Sequence, residues 1–354
     1  MVVLVHYGGG ASFSNIFIRA IGLTLKTGWS GVTLFFVLSG FLITGILWDA
    51  REAPHWWRNF YIRRSLRIFP LYYAALLLVV AAAAYKGTLQ LCLTHVWVFF
   101  LYLQNIPSLR PLAESVASPL PMGHFWSLAV EEQFYLIWPF LITRMKTLRQ
   151  AESLCLTLFV LSAIFRVVIW TWHPNPFSYN QSLPTHAGEL ALGGYLAMRY
   201  RGNGWKTIES WTPLAMVLSL GGFLAVCFIT HDFTGISTLG MYIGLPCITI
   251  FLAGVLVLAL GDGVVHRIAT TGWLRWVGGI SYGVYIFHVL LLPVYHSIPS
   301  LIAPHASRDV ALLIDSVSGA VFTLLIAWLS FRFFESPFLR LKDRFEPARS
   351  IQSK

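Results

Sequence analysis

Residues 125–139 read FWSLAVEEQFYLIWP and place two carboxylates and a glutamine inside a run that is otherwise apolar enough to enter a lipid bilayer. Ionisable side chains inside membrane spans are costly, and proteins keep them chiefly for catalysis, ion movement or a structural ion pair. The stretch therefore predicts a membrane protein with chemically active groups in its interior.

The overall composition independently favours a membrane protein. Of the 354 residues, 56% are hydrophobic and 11% are charged, and the mean hydropathy is +0.68, a balance that soluble domains do not reach. Apolar runs follow one another along the chain, and most approach the roughly 20 residues that one helix needs to cross a bilayer. The runs are 29–48, 69–85, 92–106, 126–143, 153–172, 187–200, 211–230, 240–260, 274–296 and 309–331. The fold is predicted to be all-α, a polytopic transmembrane helix bundle of about ten spans.

The charge and the cysteines exclude other classes. The net charge of +10 is attributed to Lys and Arg in cytoplasmic loops, and no nucleic-acid partner is expected. Four scattered cysteines in apolar runs are expected to be small buried hydrophobes: Cys92, Cys155, Cys227 and Cys247. No metal site is predicted, because the histidines are not arranged at ligand spacing on one helix.

Basic clusters between the apolar runs set the predicted topology. They lie at 51–67, 144–149, 199–206, 267–275 and 340–344 and are all expected on the cytoplasmic side. Three apolar runs separate the first two clusters, so one run does not cross. The shortest, 92–106, would span roughly 22 Å as a helix against a hydrocarbon core of about 30 Å, and we predict that it is re-entrant or interfacial. Both termini are then cytoplasmic, and Glu131 lies in the outer half of the membrane.

The first seven residues are apolar and end at a run of three glycines, 8–10. They are too short to span a bilayer and lack the basic start and cleavage pattern of a signal peptide. We interpret them either as an apolar terminus or as the end of a first span that begins before Met1.

Several motifs follow one another along the whole chain. They are His6 at the end of the first apolar run, GVTLFFVLSGFLI at 31–43, FYIRRSLRIFP at 60–70, the 126–135 stretch, GGISYGVYIFH at 278–288 and FESP at 334–337. In this order they resemble the integral-membrane acyltransferase-3 family, which includes enzymes that O-acylate envelope polysaccharides. The resemblance implies a membrane acyltransferase domain over 1–345, followed by a cytoplasmic tail over 346–354.

The chain departs from the family pattern at three places. The family usually carries an arginine eleven positions before its first-helix histidine, and here that residue would precede Met1. Thr33 stands where many members have Asp, and Ala187 stands where an Arg often precedes the acidic residue matched by Glu189. The last two departures bear on substrate detail more than on the reaction.

The reaction implied by the resemblance moves an acyl group, expected to be acetyl, from cytoplasmic acyl-CoA to a hydroxyl of an envelope carbohydrate or lipid-linked sugar. Acyl-CoA would be a co-substrate, with no permanently bound cofactor, and the enzyme would lie in the bacterial inner membrane. Such a transfer needs a base to take the hydroxyl proton, and histidine suits this role near neutral pH. His6 is the candidate; on sequence alone, a hydrogen-bonded core histidine is the alternative.

Glu131 is the second catalytic candidate. It lies four residues after Ser127 and four before Tyr135, so the three side chains project from one helix face. Glu132 is expected to point elsewhere. The functional hypothesis is that Glu131 orients or charges the histidine or helps to bind the acceptor; a buried ion pair or a protonated, hydrogen-bonded carboxyl is the alternative.

The rest of the predicted substrate pocket comes from other motifs. Ser281, Tyr285 and His288 share a helix face at spacings of four and seven, and Ser39 and Trp126 complete the set. Packing within the bundle explains His288 almost as well, and it is the favoured role of the small-residue patch around Ser39.

Arg63, Arg64 and Arg67 precede a helix near Pro70. Guanidinium groups bind phosphate in a bidentate manner, and the resemblance assigns these arginines to the phosphates of acyl-CoA. A positive anchor near anionic lipid is the alternative.

Because Glu131 is placed in the outer half, the layout predicts a through-membrane pocket that takes the thioester from the cytoplasm and the sugar from outside. Direct transfer and a covalent acyl-histidine both fit it.

Two other functions are considered. A multi-span transporter or flippase could use Glu131 and His288 for proton coupling, but the sequence shows no internal repeat of the kind common in transporters, and the motif order favours the enzyme. A catalytically inactive scaffold of an envelope-assembly complex is the third possibility.

Overall fold

The computed structural model describes residues 27–173, 175, 179–298 and 308–345. The α-helices, numbered in chain order, are α1 (Ser30–Ala50), α2 (Trp56–Tyr85), α3 (Leu89–His95), α4 (Trp97–Phe100), α5 (Arg110–Glu114), α6 (Trp126–Ile142), α7 (Leu148–Trp172), α8 (Leu183–Arg201), α9 (Trp205–Thr230), α10 (Leu245–Leu260), α11 (Val264–Ala269), α12 (Gly272–Leu290), α13 (Leu292–Tyr295), α14 (Arg308–Ser330) and α15 (Ser336–Lys342). Two π-helical segments, Gly240–Gly244 and Phe331–Glu335, lead into α10 and α15. Since regular structure in these ranges is entirely helical, the all-α prediction is confirmed.

In the part of the chain that the structure describes, six helical segments are long and apolar enough to cross a membrane: Thr27–Ala50, Trp56–Tyr85, Leu148–Trp172, Trp205–Thr230, Gly240–Leu260 and Ile314–Lys342. Three further predicted spans fall on the shorter helices α6, α8 and α12. A multi-pass membrane bundle is therefore confirmed, while the count of about ten spans stays a prediction.

The outward faces of the long helices are apolar and exposed. Leu42 and Ile46 on α1 are 49% and 53% exposed, and Val217 and Leu218 on α9 are 69% and 66% exposed. Contiguous apolar surface of this kind is unfavourable in water but is the surface that lipid tails contact. The bundle thus has the exterior of a membrane protein.

No continuous helix covers 92–106. The short helices α3 and α4 are followed by irregular backbone that includes Tyr102 in the left-handed region, at φ 55°. Gln133 of α6 donates to the Tyr102 carbonyl at 2.8 Å and pairs reciprocally with the Asn105 amide at 3.1 and 2.7 Å. Irregular backbone is tolerated at membrane depth only where protein buries it in this way. The segment does not form a span, and its re-entrant or interfacial position stays a prediction.

Helices α1 and α8 pack backbone against backbone at two glycines. A Cβ on Gly40 would overlap the Leu190 carbonyl of α8, and a Cβ on Gly193 would overlap the Val37 carbonyl of α1. Only glycine allows so close an approach. The predicted packing role of the small-residue patch is present at Gly40, one residue beyond Ser39.

Helix α1 also contacts α6 along its length. Phe36 packs edge-on against Trp126 with ring centroids 6.1 Å apart, and Trp138 Nε1 donates to Thr44 Oγ1 at 2.9 Å. Between these two contacts α1 presents Ser39 to α6. Helices α6 and α8 thus both pack against α1 around Ser39.

The loop between α9 and the π-helical turn at Gly240 is organised by Asp232. Its carboxylate accepts the backbone N–H groups of Thr234 and Ser237 at 2.7 and 3.0 Å and the Thr234 hydroxyl at 2.6 Å. Partial burial raises the pKa of Asp232, but these hydrogen bonds outweigh burial and hold it below its usual value.

The cysteines are free. Cys92, Cys155 and Cys227 are buried, as predicted, whereas Cys247 is only partly buried on α10.

Candidate active site

The centre of the candidate site is the Glu131 carboxylate. Its Oε1 atom accepts a hydrogen bond from Ser39 Oγ at 2.6 Å and one from Arg64 Nη2, also at 2.6 Å. The Tyr135 hydroxyl donates to the same oxygen and contacts the Ser39 hydroxyl. Helices α1, α2 and α6 each contribute to this centre, so the site exists only when the three helices are assembled.

The Glu131 carboxylate is buried and lies against the Arg64 guanidinium. Its side chain is 3% exposed, and that of Arg64 is 17% exposed. The Arg64 guanidinium also lies over the Tyr135 ring, 3.8 Å from its centroid, a cation–π contact that strengthens when desolvated. Glu131 Oε1 is the shared acceptor of the three donors of this centre. The buried ion pair that the sequence raised as an alternative is present, and the functional roles of Glu131 stay predictions.

Two expectations about this centre are wrong. Arg64 and Glu131 are not separated across the membrane, because their side chains are in direct contact. Glu132 does not point away from the site, since its Oε1 atom lies 3.8 Å from Arg64 Nε and its side chain is 14% exposed. Arg64 therefore bridges two neighbouring carboxylates, and Glu131 holds the closer position.

A second hydroxyl contact extends the site towards α12. The Ser127 hydroxyl contacts the hydroxyl of Tyr285, which donates to the His124 carbonyl at 2.6 Å. His288 is fully buried, with its ring 5.0 Å from the His124 ring. The predicted face of Ser127, Glu131 and Tyr135 is thus polar along its whole length, and Tyr285 joins it.

Ser281 does not join it. The side chain is exposed, and its hydroxyl donates to the Gly278 carbonyl of its own helix at 2.8 Å. Its neighbours on α12 do pack against the bundle, since Ile280 is buried and the Tyr282 hydroxyl donates to the Ile68 carbonyl of α2 at 2.9 Å. Ser281 therefore lies on the exposed side of α12, although it is four residues from Tyr285.

The remaining predicted residues occupy different positions. Arg63 is half-buried and Arg67 is exposed, both on the same helix as Arg64. Trp126 begins α6 and packs against the His186 ring at 5.1 Å. His6 lies outside the described residues. Within the described ranges, no group of three or more His, Cys, Asp or Glu side chains is placed to hold a metal ion.

The sequence analysis missed a second buried charged cluster, formed by Arg166 of α7 and His186 and Glu189 of α8. Arg166 Nη1 lies 3.9 Å from Glu189 Oε1, and His186 Nδ1 lies 3.3 Å from the same oxygen. Arg166 and Glu189 are 2% and 1% exposed. An arginine within the apolar run 153–172 is the signal that could have revealed the cluster.

These features define a class of protein: a polytopic membrane helix bundle with a buried arginine–carboxylate centre at the junction of three helices. A profile of the acyltransferase-3 family, described as an acyltransferase domain, matches residues 1–332. The chain belongs to this family.

Several similar proteins carry O-acetyltransferase names. The chain is 28% identical over 332 residues to the peptidoglycan O-acetyltransferase OatA of Listeria monocytogenes, covering 88% of this chain and 51% of that protein. It is 28% identical over 339 residues to the putative peptidoglycan O-acetyltransferase YrhL of Bacillus subtilis, covering 88% and 50%. A putative O-acetyltransferase of Staphylococcus aureus is 25% identical over 338 residues, covering 89% and 53%. The chain thus spans about half the length of these relatives, and no solved structure matches it significantly.

Proposed function

We propose that this domain transfers an acetyl group from cytoplasmic acetyl-CoA to a hydroxyl of an envelope carbohydrate or lipid-linked sugar at the bacterial inner membrane, with both termini cytoplasmic. Family membership supports acyl transfer, and the names of the relatives, which are O-acetyltransferases of peptidoglycan or of unstated acceptors, favour an acetyl group and an envelope glycan. The observation that carries the proposal is the buried Arg64–Glu131 centre with its two hydroxyls.

In the proposed reaction the acceptor hydroxyl oxygen attacks the thioester carbonyl carbon. A new C–O bond forms, the C–S bond breaks, and the hydroxyl proton passes through His6 to the departing thiolate, so that atoms and charge balance. Negative charge develops on the carbonyl oxygen during the attack. A fixed cation beside that oxygen lowers the barrier without any reorganisation at the moment of reaction.

Arg64 is the candidate for that cation. Glu131 holds its guanidinium at 2.6 Å, and the Tyr135 ring supports it from the other side. Arg63 and Arg67 extend from the same helix and are less buried than the centre itself. We assign these two to the acyl-CoA phosphates, which suit bidentate guanidinium contacts, and we assign Arg64 to the reacting carbonyl.

The contact between Arg64 and Glu131 also changes the expected route of the acyl group. The donor-binding helix and the carboxylate meet at one place, so no long transfer between separate half-sites is required. The proposed pocket is a single centre reached by the thioester from one side and by the sugar from the other. Belonging to an acyltransferase family favours this function over the transporter and scaffold alternatives.

The test follows labelled acetyl from acetyl-CoA to envelope glycans in membranes that contain the full-length gene product. The variants are His6→Ala and the control His231→Asn. His231 is exposed and has a left-handed backbone at φ 51°, a conformation that Asn tolerates well. We expect transfer by the wild type and the control and its loss in His6→Ala.

Two outcomes would overturn parts of the proposal. Equal labelling in all three proteins, above the background of membranes without the protein, would remove His6 from the mechanism. No transfer by a folded wild type, with acetyl-CoA and glycan both supplied, would reject this donor–acceptor pair.

A further inference from the structure

The cluster of Arg166, His186 and Glu189 lies beside the Glu131 centre but cannot take part in it directly. Arg166 and Glu189 are almost completely buried, at 2% and 1% exposure, so no substrate reaches them. Within the described ranges, Arg166 Nε and Glu189 Oε2 have no hydrogen-bond partner. Buried charges with unsatisfied atoms are unfavourable for stability. Their presence points to a role other than simple packing.

The hydrogen bonds of the cluster fix the His186 ring at both nitrogens. Nε2 lies 2.8 Å from the Asn180 carbonyl, which can only accept, so Nε2 carries a proton. Nδ1 faces Glu189 Oε1 at 3.3 Å. Arg166, anchored by the Thr185 carbonyl at 2.6 Å, adds positive charge on the other side of Glu189. The imidazole is therefore held in one orientation.

Two routes lead from this cluster to the Glu131 centre. The His186 ring packs on Trp126, at the start of the helix that carries Glu131, with centroids 5.1 Å apart. Next to Glu189 on α8, the Leu190 carbonyl lies against Gly40, and the neighbouring Ser39 donates to Glu131. The cluster thus contacts both helices that deliver the hydroxyl and carboxylate groups of the site.

We propose that Arg166, His186 and Glu189 are positioning residues for acyl transfer: they hold α8 and the His186 ring so that Trp126 and Ser39 keep the Glu131 centre in its reactive geometry. The proposal rests on the proposed function.

The test is a charge cycle of Arg166→Met, Glu189→Met and the double variant. Each single variant removes one member of the buried Arg166–Glu189 pair and is expected to lower thermal stability, whereas the double variant replaces the pair by apolar side chains of similar volume and is expected to recover it. If the pair is purely structural, the double variant should recover activity together with stability. If the cluster positions the site, the double variant should stay impaired, because it has lost the Nδ1 partner of His186.

We expect the double variant to keep kcat per folded protein roughly tenfold to a hundredfold below wild type, since small displacements of reacting groups have effects of that size. The KM for acetyl-CoA should change little, because no residue of the cluster is assigned to the donor. His186→Phe, which preserves an aromatic ring against Trp126, should retain more kcat than His186→Ala. The matched control removes Arg199 and Glu152, an ion pair at 3.3 Å between the same two helices near their other ends, and should leave kcat unchanged.

A second readout separates this proposal from the proposed function. Hydrogen exchange of residues 123–135, measured by mass spectrometry, should be faster in the thermally recovered double variant than in wild type or the control, even if no acetyl transfer is found for the wild type. The positioning role would be overturned if residues 123–135 exchanged as slowly in the double variant as in wild type, or if the double variant recovered both stability and kcat.

Discussion

Replacing Glu131 by Gln tests the ion pair at the centre of the site. The variant keeps the size of the side chain and one acceptor oxygen but leaves the Arg64 guanidinium without its carboxylate at 2.6 Å. Removing one partner of a buried ion pair costs about 3–5 kcal/mol, because the other charge stays buried. Arg64 is 17% exposed and has Glu132 at 3.8 Å, so we take the low end, about 3 kcal/mol.

The assay is thermal unfolding of the purified protein in detergent at one fixed scan rate. A loss of about 3 kcal/mol corresponds to a fall of roughly 5 °C in the unfolding midpoint for a chain of this size. Glu132→Gln is the matched control on the same helix. Its carboxylate lies farther from Arg64, at 3.8 Å, so its removal is expected to shift the midpoint by about 2 °C or less.

The relative sizes of the two shifts in unfolding midpoint decide the result. A Glu131→Gln midpoint within about 1 °C of wild type, or a larger fall for Glu132→Gln than for Glu131→Gln, would refute the assignment of Glu131 as the principal partner of Arg64.

Three further predictions concern other parts of the bundle. Gly40→Ala should lower stability by about 1–3 kcal/mol, because its Cβ would meet the backbone of α8, whereas Gly221→Ala, in open space on α9, should be neutral or slightly stabilising in the same unfolding assay. Tyr285→Phe should reduce acetyl transfer because it removes the hydroxyl beside Ser127, and Ser281→Ala should leave transfer unchanged. Since the pKa of Asp232 is depressed in the folded protein, its contribution to loop stability should be complete above the ordinary aspartate pKa of about 4 and lost as pH falls below it. Hydrogen exchange of residues 232–239 should show this pH dependence in wild type and not in Asp232→Asn.

The polar face of α6 could be predicted from residue spacing alone. Ser127, Glu131 and Tyr135 recur every four residues in an apolar run, and helical geometry then places them on one face. The same arithmetic could not show which side of α12 faces the bundle at Ser281, whose side chain is exposed between the buried Ile280 and the packed Tyr282. Periodicity shows which side chains share a helix face, but not how much of that face a neighbouring helix covers.

The contact between Arg64 and Glu131 was missed for a different physical reason. The topology argument treats a basic cluster as lying at the membrane surface. Arg64 is the ninth residue of α2, which begins at Trp56, and so lies about 12 Å along the helix from its start. The long arginine side chain adds further reach towards α6. Charge patterning identifies which end of a helix faces the cytoplasm, but it does not resolve depth within the first turns.

The small residues predicted contacts between helices better than the charged residues did. The small-residue patch around Ser39 predicted a close helix contact, and Gly40 makes that contact with α8. The pairing of Arg166 with Glu189 could not be predicted from the sequence, because the two residues are 23 positions apart and lie on different helices. Only the packing of α7 against α8 brings them together.

The measurement that tests the central claim most directly is labelled acetyl transfer from acetyl-CoA to envelope glycan by wild type, Glu131→Gln and Glu132→Gln, each normalised to folded protein. If the Arg64–Glu131 centre carries the reaction, Glu131→Gln should lower transfer by roughly a hundredfold or more, the size expected when a preorganised electrostatic contact is lost, while Glu132→Gln should stay close to wild type. Wild-type transfer by folded Glu131→Gln would contradict the account.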